Sequence, residues 1–306
     1  MTVNSAVIGA DWFLNGLANL QSRELQTQQQ LSSGYAVSTA ADDPAATQDL
    51  VDLGSSLAAA QAYQSNLNNV QAEASAGDTS IGSAITLLQS ARSFGTQGAS
   101  STATPAEQQN LAVQVQAIQQ QIVALANTQV AGHYIFGGDQ DQSPPYQYDP
   151  SSATGVDALT TASSTRQIVN PAGETVYQSL TAGTIFDPQS GGSPSATNTF
   201  AALQNLQTAL QTGNTAGVAT ALTSLQSASA WLNQQQVHYG TSEQRLTAEQ
   251  NTVSTQITTI QTNLSGIRDA NVAQDATDLT QESTSQQAAM AAQAEVPQKS
   301  LFDYLA

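Results

Sequence analysis

Few residues in this chain of 306 could do chemistry, and their spacing limits what that chemistry could be. His133 and His238 are the only imidazoles, and an imidazole can act as a general base or bind a metal. Neither has a partner at metal-ligand spacing, so each reads as a lone solvated or packed ring. Asp42-Asp43 could be paired carboxylates. Adjacent side chains at a helix start point apart, however, and Pro44 makes capping the better account. Asp139 and Asp141 alternate as calcium ligands do, but the further oxygen ligands of a calcium loop are missing. Asn263-Leu-Ser265 is a formal glycosylation sequon inside a helical stretch. There is no cysteine, no Gly-rich phosphate loop and no G-x-S-x-G elbow. The expectation is a chain that is not an enzyme and uses no cofactor or metal.

Composition points the same way. Only 9% of residues are charged and 5% aromatic, with 23 acidic against 6 basic and a net charge of −17. Neutralising phosphates needs Lys and Arg, so neither nucleic acid nor an anionic membrane is an expected partner. Gln, Ala, Ser and Thr dominate; their amides and hydroxyls can pack against copies of themselves without large desolvation costs. No stretch reaches the roughly 18 apolar residues that would span a bilayer. Met1–Asp11 carries no basic region and no sustained apolar run, so a Sec-type signal peptide is not expected.

The elements are more legible than any site. Val218, Leu225, Leu232, Tyr239, Leu246, Val253, Ile260 and Ile267 recur every seventh residue, which predicts one long helix seeking a partner. Such a helix would run for roughly 75 Å. Within the chain, its expected partners are helices bearing Leu50, Leu53, Leu57, Leu67, Ala74, Ile81, Ile85 and Leu88, and Leu111, Val115, Ile118, Ile122 and Leu125. Asp43-Pro44 predicts one helix start, and Thr104-Pro105-Ala106-Glu107 predicts another with a capping box. Pro and Gly punctuate Gly137 to Ala196, where Arg166–Val169, Thr175–Tyr177 and Thr184–Phe186 read as short strands.

The predicted fold is mainly α: a long antiparallel helical bundle or coiled coil made by the N- and C-terminal halves, with a small β-rich middle insertion. The expected division is 1–40, a helix of an assembly core; 41–136 with 198–266, a helical shaft; 137–197, the insertion; and 267–306, a second core helix. The end segments have stripes poor in bulky side chains and are set apart by breaks. They are marginal alone and are expected to order against other subunits. Phe13, Leu17, Leu20, Leu31, Val272, Leu279, Met290, Leu301 and Leu305 are therefore the candidate subunit-interface residues.

Two separated motifs carry a family likeness. Leu31-Ser-Ser-Gly34 with Ala41-Asp-Asp-Pro-Ala-Ala46 resembles the N-terminal signature of the bacterial flagellin family. Ile267-Arg-Asp-Ala-Asn-Val-Ala273 through Met290–Gln298 and Ser300-Leu-Phe-Asp-Tyr-Leu305 resembles the matching C-terminal region. Asp42-Asp-Pro44, and Gly132-His-Tyr-Ile-Phe-Gly-Gly138 leading to Pro144-Pro-Tyr146, are similar to the branch that joins hook to filament. Val296-Pro-Gln298 is closer to the filament-forming branch. The resemblance implies a structural subunit of the extracellular flagellum, exported without a cleaved Sec signal. Its implied partners are copies of itself, neighbouring hook-associated protein and flagellin subunits, and an export chaperone. From a different class, a surface adhesin using its insertion is the competing expectation.

Overall fold

The computed structural model describes residues 3–162 and 164–295, with side chains from Asp11 to Ala292. In chain order the helices are α1 (Val3–Ser33), α2 (Pro44–Gly98), α3 (Pro105–Ala126), α4 (Ala182–Phe186), α5 (Thr199–Gln211), α6 (Thr215–Arg268) and α7 (Val272–Glu295). Between α3 and α5 lie strands β1 (Gln129–Val130), β2 (His133–Tyr134), β3 (Tyr146–Tyr148), β4 (Val156–Ala158), β5 (Gln167–Val169), β6 (Thr175–Gln178), β7 (Gln189–Ser190) and β8 (Ser193–Pro194). The protein is mainly α with a β-rich middle, as its patterning predicts. It divides into two compact units, Met1–Gln61 with Thr255–Ala306, and Ala62–Ser254.

The second unit holds most of the core. On α6 every seventh residue is a large buried side chain: Val218, Leu225, Leu232, Tyr239 and Leu246. Small or polar Ala221, Ala228, Gln235 and Ser242 are buried between them. On α2 the buried series Leu67, Ala74, Ile81 and Leu88 alternates with Val70, Ala84 and Ala91. These are the two positions of a heptad, which is why the helices seal along one seam. Their pairing is antiparallel: Gly77 faces Tyr239, Gly82 faces Gln236 and Gly95 faces Leu222. A β-carbon at Gly77 would lie 2.6 Å from the Tyr239 ring, so only glycine leaves room there. α3 and α5 complete the bundle, with Leu206 and Leu210 set against Gly95 and Gly98 of α2.

Both predicted helix starts are in place. Asp43 Oδ1 accepts from Ala45 N and Ala46 N at 2.9 and 3.0 Å, ahead of Pro44. Asp42 turns the other way and accepts from Ser38 N, Ser38 Oγ and Thr39 N. The two carboxylates thus cap separate groups rather than forming an acid–base pair. Before α3, the Thr104 hydroxyl accepts from Glu107 N while the Glu107 carboxylate accepts from Thr104 N at 2.7 Å.

The middle contains four two-stranded antiparallel hairpins among the described residues. β5 and β6 match the predicted strands, pairing Ile168 with Tyr177. Thr184-Ile-Phe186 does not: it lies in α4, not in a strand. The Thr181 hydroxyl accepts from Thr184 N, and Ile185 and Phe186 are wholly buried. A cap and tertiary burial override the β-branched preference of a short run.

A charged cluster fastens this region to α2. Arg166 donates to Glu73 of α2 and, at 2.8 Å, to Asp141, which also lies 3.2 Å from His133 Nδ1. The Gln142 amide first, then His133 and Arg166, hold the Asp141 carboxyl below its ordinary range. Its pKa is lower folded than unfolded, so its stabilisation is complete above pH about 4 and is lost as pH falls through the depressed value. Asp141→Asn should therefore have a lower urea midpoint than the native protein at pH 7. The gap should narrow progressively as pH falls below about 4, and a gap that is constant with pH would sink this assignment.

Candidate functional site

No constellation for catalysis assembles among the described residues. No group of three or more His, Cys, Asp or Glu is placed to hold a metal ion there. His133 bonds to the Asp141 and Gln142 side chains, and His238 Nε2 contacts the Gln178 carbonyl at 3.1 Å. A cleft of about 580 Å³ is lined by Phe136, Tyr146, Asp187 and Trp231 among others. Its polar groups are already committed to one another. Tyr146 Oη donates to Asp187 Oδ2 at 3.0 Å, Gln189 Nε2 to Asp187 Oδ1 at 2.7 Å, and Trp231 Nε1 to the Thr184 carbonyl at 3.1 Å. Burial, and then the Asp187 charge, push the Tyr146 phenol far above its ordinary range, so it stays a hydrogen-bond donor.

The terminal pair, α1 and α7, offers more. The two helices pack together within the first unit. Phe13, Leu17, Leu20 and Leu31 are half-buried on α1, with Glu24 half-buried and Thr27 fully buried on the same face. Across from them on α7, Asp275, Leu279, Glu282, Gln286 and Ala289 are half-buried. Thr27 Oγ1 donates to Glu282 Oε2 at 3.2 Å, one of the few specific polar contacts along this face. Where α2 and α6 place mostly Leu, Ile and Tyr, this seam mixes Phe13, Leu17, Leu20, Leu31 and Leu279 with Glu24, Thr27, Asp275, Glu282 and Gln286. Polar residues at such positions specify register but weaken the pairing.

The predicted interface residues thus fall into three groups. Phe13, Leu17, Leu20, Leu31 and Leu279 line the seam inside one chain. Val272 and Met290 lie outside it, 55% and 50% exposed. Leu301 and Leu305 lie outside the described residues. The sequence reading missed three large apolar side chains of α1 that stand open: Trp12 at 79%, Leu25 at 65% and Leu14 at 59%. Leu14, Ala18 and Leu25 follow 4- and 7-residue steps, a second apolar stripe turned about 100° from the seam at ~100° per residue. That spacing was in the sequence, masked by the stronger Phe13–Leu20 stripe beside it. On α7, Ala276, Thr277, Thr280, Gln281 and Thr284 line a shallow groove of about 360 Å³. The Thr277, Thr280 and Thr284 hydroxyls donate back to carbonyls one turn earlier, which leaves this groove without outward-facing donors from them.

No helix among the described residues is long and apolar enough to cross a membrane. The bacterial flagellin N-terminal helical region matches residues 10–141, and the bacterial flagellin C-terminal helical region matches residues 222–305. The chain is 26% identical over 208 residues to flagellar hook-associated protein 3 of Escherichia coli, covering 65% of this chain and 63% of that protein. It is 25% identical over 203 residues to the protein of that name in Salmonella typhimurium, with the same coverage. The match therefore spans less than two thirds of these relatives' length. Among solved structures, a putative flagellar hook-associated protein from Vibrio parahaemolyticus superposes with a TM-score of 0.64 at 21% identity, over 74% of this chain and 100% of that one. FlgL from Bacillus cereus superposes with a TM-score of 0.56 at 17% identity, over 70% and 99%. The helical fold is shared with both. With its N- and C-terminal helical regions both matched, in order, on either side of a β-rich middle, the chain belongs to the bacterial flagellin family.

Proposed function

We propose that this chain is a structural subunit of the bacterial flagellum that joins hook-associated proteins to the flagellin filament by helix packing between subunits. The observation that carries the reading is the combination on α1 and α7 of a half-buried, partly polar seam inside the chain with large exposed apolar side chains outside it. Trp12, Leu14, Leu25, Val272 and Met290 are half or more exposed among the described residues, and burying each against a neighbour would stabilise an assembly. The relatives that share its sequence bear the name of a hook-associated protein, which favours the junction over the filament itself. In this reading the α2–α6 seam is the stiff shaft, residues 137–197 face outward, and neighbouring copies, hook-associated protein and flagellin contact the terminal helices. Torque passes through packed side chains and no reaction is involved. Export unfolded through the flagellar apparatus, with a chaperone and without a cleaved Sec signal, belongs to the same proposal.

The test is a chromosomal deletion in the source bacterium. Hooks without filaments, with flagellin shed into the medium, are the expected outcome. Filaments of normal length on every hook would overturn the proposal. Purified protein that polymerises alone into long filaments would move it to the filament branch.

A further inference from the structure

The two places where the long helices break lie far apart in sequence but against each other in the fold. α1 ends at Ser33, before Gly34, and α6 ends at Arg268, with α7 beginning at Val272. Between these breaks Tyr35 and Asp269 form an isolated antiparallel bridge. Ala36 N donates to the Arg268 carbonyl at 2.7 Å, Val37 N reaches the same oxygen at 3.3 Å, and Ala270 N donates to the Gly34 carbonyl at 2.9 Å. A helix end leaves carbonyls without partners, and these are usually met by its own cap or by water. Here the last carbonyl of α6 is met by the loop after α1, and the carbonyl just past α1 is met by the loop after α6. Each break caps the other.

Side chains close over the bridge. The Arg268 guanidinium carbon sits 4.5 Å from the centre of the Tyr35 ring, within cation–π range. Its Nε donates to Asp269 Oδ1 at 2.9 Å, while the Ser265 hydroxyl donates to the other oxygen of that carboxylate. Arg268 is one of only 6 basic residues in the chain, and its charge is fixed in place from both sides. Gln30 adds a tie from the last turn of α1, its Nε2 donating to the Ala36 carbonyl at 3.1 Å.

We propose that the two breaks are one joint, clasped by Arg268 on Tyr35, through which α1 and α7 move as a single lever on the adjoining turns of α2 and α6. The weak α1–α7 seam makes such a clasp consequential. Two helices whose seam is only half-buried and partly polar would otherwise swing on separate loops, and coupled breaks force them to turn together.

Hydrogen exchange on the full chain tests this, read at peptides covering residues 34–40 and 266–272 with α3 as internal reference. Arg268→Met keeps a stem over the ring but removes the charge and the Nε donor. Exchange at Ala36, Val37 and Ala270 should quicken roughly three- to tenfold, with α3 unchanged. Tyr35→Leu should reproduce this, whereas Tyr35→Phe, which keeps the ring, should exchange as the native protein does. Gly34→Ala supplies the coupling arm, because Gly34 sits at φ +76 with open space around its β-position. Strain introduced there should also quicken Ala270 on the opposite break. Native exchange in Arg268→Met and Tyr35→Leu would overturn the clasp. Acceleration confined to the mutated break, or spread equally into α3, would overturn the joint.

Discussion

Tyr239→Ala is expected to destabilise the second unit by about 3–5 kcal/mol, the range for emptying a large aromatic site in a packed core. Tyr239 is 1% exposed and stands at the midpoint of the long α6 stripe. Its ring packs against Gly77 of α2 and meets Phe136 edge-on, with ring centres 6.2 Å apart. Its oxygen accepts from Leu180 N at 3.4 Å and from the Tyr177 hydroxyl, itself buried. Removing the side chain leaves a cavity that rigid helices on either side cannot collapse into, and it strands two buried donors. Tyr239→Phe isolates the second effect and should cost only about 1 kcal/mol. Urea unfolding followed by Trp231 fluorescence, in a Trp12→Phe background, reads this unit alone. A Tyr239→Ala loss below about 1 kcal/mol would show that the seam repacks and is not the rigid element described.

Leu25→Asp should leave the isolated chain folded yet largely abolish its incorporation into flagella. At 65% exposure the substitution removes little intramolecular contact, and surface changes of this kind stay within roughly 0.5 kcal/mol. In an assembly where Leu25 is buried against a neighbour, an unpaired carboxylate would cost on the order of 3 kcal/mol, about a hundredfold in affinity. The checks are a circular dichroism melt of the monomer and immunogold counting on isolated hooks. Normal labelling with an unaltered melt would remove Leu25 from the interface. Leu17→Asp asks a different question. Leu17 lies in the α1–α7 seam, so its charge would disrupt the pair inside one chain before any neighbour is met.

These two variants mark where the sequence could and could not be read. The α6 stripe was legible because heptad spacing over fifty residues has few other causes, and Val218 through Ile260 are buried as that spacing requires. The starts at Asp43-Pro44 and Thr104–Glu107 were legible because a cap is a local bond among adjacent residues. The strands of the middle region are two to four residues long, and what fixes them is burial contributed from elsewhere. Thr184-Ile-Phe186 became helical for that reason. At the candidate interface, periodicity identified a face of α1 but not what covers it. Phe13, Leu17 and Leu20 are half-buried on the α1 face that carries Thr27, and the exposed Leu14 and Leu25 were overlooked beside them. The pairing of Tyr35 with Asp269 had no local signature at all, since each half of the bridge is an unremarkable loop.

Tyr239 seated on Gly77 has a mechanical corollary for the structural role proposed above. Sliding α6 along α2 by one heptad, about 10.5 Å, would drive the phenol ring into Val70 or Ala84, where a side chain already stands. The two rods therefore have a single longitudinal alignment, and a steady twisting load meets a steric stop instead of producing creep. A bulky residue opposite an empty one works as a tooth in a notch, resisting shear along an axis where ordinary oily surfaces would be free to slip.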